Sequence, residues 1–167
     1  MICAIVEADK NWGIGKGSAA LTSIPEDEKY IASIAAENII IMGRKTFERI
    51  PMNRLPLGKM NIVLSRDKNF APGSAVCAHS VKEVLSLVQM EGSDAYIIGG
   101  SSVFDQMLDV CDEVQVTAID YEYDADVYFP NLDKMVDWVM VSESEEQTHF
   151  DTIYHFRKYV KRKDYRM

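Results

Sequence analysis

Asp27, in the stretch SIPEDEKYIASI of residues 23 to 34, has the chemistry and the spacing of a carboxylate that holds a ligand. Tyr30, Ile31 and Ile34 recur at helical spacing, and one turn before Tyr30 and Ile31 stands Asp27, which therefore points the same, inward way. Glu26 and Glu28 lie about 100° round the helix to either side, where water is easy to reach. Two readings of Asp27 stand at this level. It is a second capping carboxylate or a rim ion pair, favoured in the first turn by the helix dipole, or it is a carboxylate in an apolar cleft with a raised pKa. Ser23 followed by Glu26 is a capping-box signature, and Pro25 suits a first turn because its missing N–H is not needed there.

Two other stretches have the form of anion sites. IIIMGRKTFERI runs an apolar strand into Gly43 and then into a helix expected to begin near Lys45 or Thr46. Strand carboxyl ends in α/β sheets face ligand crevices, and a helix start offers unpaired N–H groups. With Arg44 and Lys45 beside it, the turn reads as a phosphate site or as a solvated surface turn. YIIGGSSVFDQM repeats the arrangement with Gly99 and Gly100, and Ser101 as the expected N-cap. Paired glycines let the backbone approach a ligand closely. Two such turns in one small sheet point to a dinucleotide, with Leu64, Ser65 and Arg66 a third contact. NWGIGKGSAAL places Gly13, Gly15 and Gly17 in the loop 9–23, which reads as a lid or as a disordered connection.

These groups need a sheet to position them. Strands are expected at 2–8, 38–42, 60–65, 74–78, 95–99 and 113–119, several of them continuous apolar runs suited to strands covered on both faces. Helical patterns fall at 25–36, 45–50, 81–90 and 101–108, the clearest stripe being Val81, Val84, Leu85 and Val88. This alternation is α/β, with a mainly parallel sheet. After residue 130, WVMVSES and HFDTIYHFRKYV read as two strands of an antiparallel hairpin at one edge. The terminal KRKDYRM is basic against an acidic body and reads as a solvated end or a partner contact.

Composition narrows the function. The 167 residues, 47% hydrophobic and 26% charged, fit a globular fold expected to form a single domain over 1–167. A net charge of -8 argues against a nucleic-acid partner. No apolar run approaches the roughly 18 residues of a membrane span, and the N-terminal MICAIVEADK has no basic lead, so a cytoplasmic location is expected. Cys3, Cys77 and Cys111 show no CxxC spacing and read as free thiols, two of them in strands. No metal site is expected.

Taken together, WGIG (12–15), IPED with Asp27, IIMGRKTFE (40–48), NIVLSR (61–66), IIGGSSVF (97–104), VTAID (116–120) and DVYFP (126–130) resemble the dihydrofolate reductase family in order and spacing. The resemblance implies a mixed eight-stranded sheet with four helices; nothing in the sequence demands an oligomer, and a monomer is expected. It implies NADPH as cofactor and dihydrofolate as substrate, reduced by hydride transfer to pterin C6 with protonation at N5. Asp27 would pair with the pterin ring and Thr117 would support that contact. Ile5, Val6, Ile31, Ile50, Leu55 and Ile98 would wall the substrate. Ile14 and Gly15 would touch the cofactor. Gly43, Arg44, Lys45 and Thr46 would flank its phosphates, and Arg44 and Arg66 would select the 2'-phosphate, with Leu64 and Ser65 alongside. Gly99, Gly100, Ser101, Ser102 and Val103 would cradle the pyrophosphate, with Phe104 nearer the nicotinamide. The family also implies a cis peptide between the paired glycines.

Several positions depart from the family pattern. Leu21 and Thr22 stand where Pro and Trp are usual; Thr22 can hold a water by its hydroxyl but supplies no apolar wall. Ile31 replaces an aromatic residue. Lys59 replaces an arginine that clamps the substrate tail, keeping the charge and losing the bidentate fork. Glu7 occupies a small apolar wall position. It either turns to solvent or brings a second acid to Asp27, raising one pKa of the pair; the outward turn is expected. The competing readings are a related NADPH reductase acting on an aminopyrimidine of riboflavin synthesis, and an idle NADP- or pterin-binding protein.

Overall fold

The computed structural model describes residues 1–17, 19–51 and 57–162. The elements run β1 (Ile2–Ala8), β2 (Gly13–Lys16), β3 (Ala19–Ala20), α1 (Pro25–Ala35), β4 (Ile39–Gly43), α2 (Arg44–Arg49), β5 (Met60–Leu64) and β6 (Val76–Ala78). They continue with α3 (Val81–Glu91), β7 (Ala95–Gly99), α4 (Ser101–Met107), β8 (Glu113–Ile119), β9 (Val127–Tyr128), β10 (Trp138–Glu143), β11 (Gln147–His149) and β12 (Thr152–Lys161). The six expected strands and four expected helices are all present, with ends displaced by one or two residues.

The main sheet has the order β10-β12-β8-β1-β7-β4-β5-β6, with β11 paired to β12. From β8 to β6 every pairing is parallel, and β12 runs antiparallel to both β8 and β10. The C-terminal hairpin thus closes one edge. Ile39, Ile40, Ile41 and Met42 are wholly buried, as a central strand covered on both faces requires.

Strand alternation divides the interior and decides what faces the cleft. Ala4, Val6, Val114 and Val116 join the core on one side of the sheet. Cys3 and Ile5 join the other, against Ala35, Ile31 and Ile34 of α1. Glu7 on β1 and Thr117 on β8 share this second face by the two-residue period, and the two are register partners across the parallel pair. The face of α1 is centred on Asp27, Ile31, Ile34 and Ala35. Tyr30, expected in that stripe, lies about 60° to one side and is 39% exposed.

The helix starts differ from expectation in small, explicable ways. Pro25 takes the first helical position of α1, so the N-cap is Ile24, one residue after Ser23, and no side chain caps it. The Ser23 hydroxyl instead donates to Glu28 at 3.0 Å, and the expected box with Glu26 does not form. Gly43 and Gly100 are the N-caps of α2 and α4, which begin at Arg44 and Ser101. Ser101 is therefore the first helical residue rather than the cap.

The glycine-rich segment forms a small sheet of its own, in the order β3-β2-β9. Asp9 ties it down. One carboxylate oxygen accepts from the N–H groups of Asn11 at 2.9 Å and Gly13 at 2.7 Å, and the other accepts from Tyr123 N–H at 2.9 Å. A Cβ on Gly13 would meet Asp9 Oδ2 at 2.9 Å, so only glycine fits that turn. The Asp126 carboxylate accepts from Gly17 N–H at 2.7 Å, which joins the two loops a second time.

Candidate active site

The second face of the sheet opens into a cavity of about 660 Å³, with Asp27 at one end and the two glycine turns at the other. Asp27 is 6% exposed. The Thr117 hydroxyl donates to its Oδ1 at 2.7 Å across 90 residues of sequence. Its buried Oδ2 receives no hydrogen bond from the described residues. An acceptor buried without a donor costs roughly 1–3 kcal/mol, so this oxygen calls for a proton donor within the cavity, from a ligand or from a protonated neighbour. Of the two readings of Asp27, the geometry excludes a rim ion pair.

Glu7 does not turn to solvent. The period of β1 puts it on the same face as Ile5, and its half-buried carboxyl meets Asp27 inside the cavity. Its pKa is pushed up to about 9, first by burial, then by hydrogen bonding with Asp27, then by the negative charge of Asp27. The backbone N–H of Ile24 acts in the opposite direction. The expected outward turn fails because the first turn of α1 covers this face of β1.

At the other end, the turns after β4 and β7 abut. A Cβ on Gly43 would meet Val103 at 3.0 Å and the backbone nitrogen of Gly100 at 3.7 Å. The Gly99–Gly100 peptide is cis, and Gly99 has φ 124, a conformation that favours glycine. A Cβ on Gly100 would meet only the Thr46 hydroxyl, at 3.8 Å, so its backbone faces open space. Ser101, Ser102, Val103 and Phe104 line the cavity beside it, as do Lys45 and Thr46. A shallow backbone cradle with two helix starts and hydroxyl groups suits phosphates, and the residues present fit a dinucleotide.

The expected residues are not all gathered equally. Ile5, Val6, Ile31, Ile98, Ile14 and Gly15 line the cavity, and so do Leu21 and Thr22. Ile50 packs behind the wall in the core on that side. Arg44 borders the cavity, but its guanidinium is committed to Glu48 and Asp67, each at 2.8 Å, and sits over the Phe70 ring. Ser65 and Arg66 line a neighbouring cavity of about 310 Å³ that shares Leu64 and Ser102 with the main one. Lys59 does not line the cavity; it pairs with Glu91 at 3.2 Å and donates to Ser93 at 3.1 Å. Leu55 and the basic end from 163 to 167 lie outside the described residues. Arg49 lines the cavity and was not singled out from sequence, because an arginine at the end of a short helix carries no directional signal. Asp9 was also missed, although an Asp opening a loop two residues before Asn is an Asx-turn signal.

The fold and the site define a class first: an α/β protein whose one cleft joins a buried, ligand-directed carboxylate to paired glycine turns suited to a dinucleotide. The chain belongs to the dihydrofolate reductase family, whose sequence model matches residues 1–161. It is 30% identical over 161 residues to a dihydrofolate reductase of Neisseria meningitidis, covering 96% of this chain and 98% of that one. It is 31% identical over 166 residues to the enzyme of that name from Staphylococcus haemolyticus, covering 96% of each. Among solved structures, a dihydrofolate reductase from Enterococcus faecalis complexed with NADP(H) and RAB-propyl is similar with a TM-score of 0.83 and 26% identity. That match covers 97% of this chain and 96% of the other.

Proposed function

We propose that this chain reduces 7,8-dihydrofolate to 5,6,7,8-tetrahydrofolate with NADPH, as a single, monomeric, cytoplasmic domain without a nucleic-acid partner. The observation that supports the reading is the buried Asp27 carboxylate, held by Thr117 on Oδ1 and with no donor to Oδ2 from the described residues, in the same cavity as the two glycine turns. A carboxylate so placed accepts two hydrogen bonds from the adjacent N–H donors of a 2-amino-4-oxo ring, and exclusion of water strengthens the pair. Family membership and the Thr117–Asp27 pair favour this ring over the aminopyrimidine of riboflavin synthesis.

NADPH, when bound, supplies the hydride for pterin C6. The residues of the chain do the rest. Gly43, Gly99 and Gly100 let backbone amides approach the phosphates, and Ser101 and Ser102 add hydroxyl donors. Arg66 and Ser65, which line the adjoining cavity, would contact the 2'-phosphate. Ile5, Ile31 and Ile98, which line the cavity, would exclude water and wall the substrate ring, and so help to orient it. Asp27 fixes the ring edge, and its charge favours a protonated ring. Because it holds the edge away from N5, the N5 proton arrives through water. Thr22, which lines the cavity, would supply a hydroxyl to position that water.

A steady-state assay tests the reading: purified protein is offered NADPH with dihydrofolate, or with the riboflavin-pathway aminopyrimidine, and loss of nicotinamide absorbance is followed. Turnover with dihydrofolate alone is expected. Turnover only with the aminopyrimidine, or tight binding of both ligands without turnover, would contradict it.

A further inference from the structure

Glu7 is the acid that the reading above leaves without a task. It stands beside Thr117 in the β1–β8 register, on the face that receives Asp27. Thr117 already serves Asp27 Oδ1, and Asp27 Oδ2 is buried with no donor from the described residues. Glu7 and Asp27 line the same cavity, and Thr117, the register partner of Glu7, holds Asp27 at 2.7 Å. Two carboxylates cannot both be ionised side by side without strong repulsion, and one proton between them removes it. We propose that Glu7 is a positioning residue of the pterin pocket, holding a proton that it donates to Asp27 Oδ2 and so fixing that carboxylate for the ring.

The surroundings agree. The charges acting on Glu7 are Asp27 and Glu28, both acidic and both on α1. From β12, Tyr154 approaches the same group of acids, its hydroxyl donating to Glu26 at 3.3 Å. From β8 the facing group is the uncharged Thr117 hydroxyl. No cation on these elements offers Glu7 a reason to ionise, while burial opposes ionisation. The acidic end of the cavity therefore carries one negative charge over two carboxyl groups. Loss of the shared proton would set two charges side by side and move Asp27 off the ring edge.

The inference rests on the cavity being the pterin site, and the test separates the two ideas. Melting temperature and the pH profile of kcat/KM for dihydrofolate are measured from pH 5 to 10 for the parent, Glu7→Gln and Glu7→Ala. Glu7 titrates at its ordinary 4.5 when unfolded and at about 9 when folded. Between those values the folded protein binds more protons, so the parent's stability falls as pH rises, and Glu7→Gln lacks this loss. The melting temperature of Glu7→Gln should gain at least about 5 °C on the parent between pH 5 and pH 9. The parent's alkaline limb of kcat/KM should shift by at least about one pH unit in both variants. KM should rise less in Glu7→Gln, whose amide still donates to Asp27, than in Glu7→Ala. A constant melting gap with superposable rate profiles would overturn the proposal. A widening gap without turnover at any pH would support the shared proton and overturn the pterin reading.

Discussion

Thr117 and Asp27, 90 residues apart, are joined by a hydrogen bond of 2.7 Å that fixes the carboxylate in the cleft. The bond exists because β8 lies next to β1 and presents Thr117 on the face that α1 covers. Replacing Thr117 with Val keeps the shape and leaves Asp27 Oδ1 without its donor. A loss of about 1–2 kcal/mol is expected, seen as a five- to thirty-fold fall in kcat/KM for dihydrofolate. A change of less than twofold would show that Asp27 needs no support from β8.

Asp27→Asn turns an acceptor into a group whose amide opposes the ring donors. The rate for dihydrofolate should fall by about two orders of magnitude at neutral pH, and the deficit should shrink toward acid pH, where protons reach N5 more readily. Equal deficits from pH 5 to pH 9 would remove Asp27 from the proton step.

Cofactor preference should depend on Arg66 more than on Arg44. Arg44 already serves Glu48 and Asp67, whereas Arg66 lines the adjoining cavity with Ser65 and His79. Arg66→Gln should raise the KM for NADPH about tenfold or more and leave that for NADH nearly constant, as loss of a charge-assisted phosphate contact predicts. A matching change with both cofactors would argue against a 2'-phosphate contact.

The anchor at Asp9 can be tested without any ligand. Asp9→Ala removes the two oxygens that accept from three backbone N–H groups, each N–H costing about 1 kcal/mol or more when left unpaired. The melting temperature should drop by roughly 5 °C or more. Amide exchange should accelerate at Asn11, Gly13 and Tyr123 while the central strands keep their protection. Uniform acceleration across the main sheet would mean that Asp9 supports the whole fold rather than the small sheet.

Lys59→Arg supplies the planar fork that the family pattern has at this position, at a residue that does not line the cavity and pairs with Glu91, so the variant tests whether the substrate tail reaches it. A three- to fivefold fall in the KM for dihydrofolate is expected, about the worth of one added charge-assisted contact. An unchanged KM would place the tail elsewhere, with Arg49 the cation that already lines the cavity.

Much of this site is legible in the chain. The inward face of Asp27 follows from helical spacing, and the turns at Gly43 and Gly99–Gly100 follow from apolar runs ending in glycine. The direction of Glu7 was also encoded, since it shares parity with Ile5. What hid it was tertiary: the first turn of α1, which no local pattern in β1 reveals, covers the face that Glu7 shares with Ile5. The capping box failed because Pro25 moved the helix start past Ser23. The pairings of Arg44 with Asp67 and Lys59 with Glu91 join segments 23 and 32 residues apart, which no local pattern fixes.

The most direct measurement follows the hydride itself. NADPH deuterated at nicotinamide C4 is turned over with dihydrofolate, and the product is examined by mass spectrometry and NMR. The cleft that joins Asp27 to the glycine turns predicts tetrahydrofolate carrying one deuterium at C6. Cofactor oxidation with no deuterium in the pterin product would contradict it.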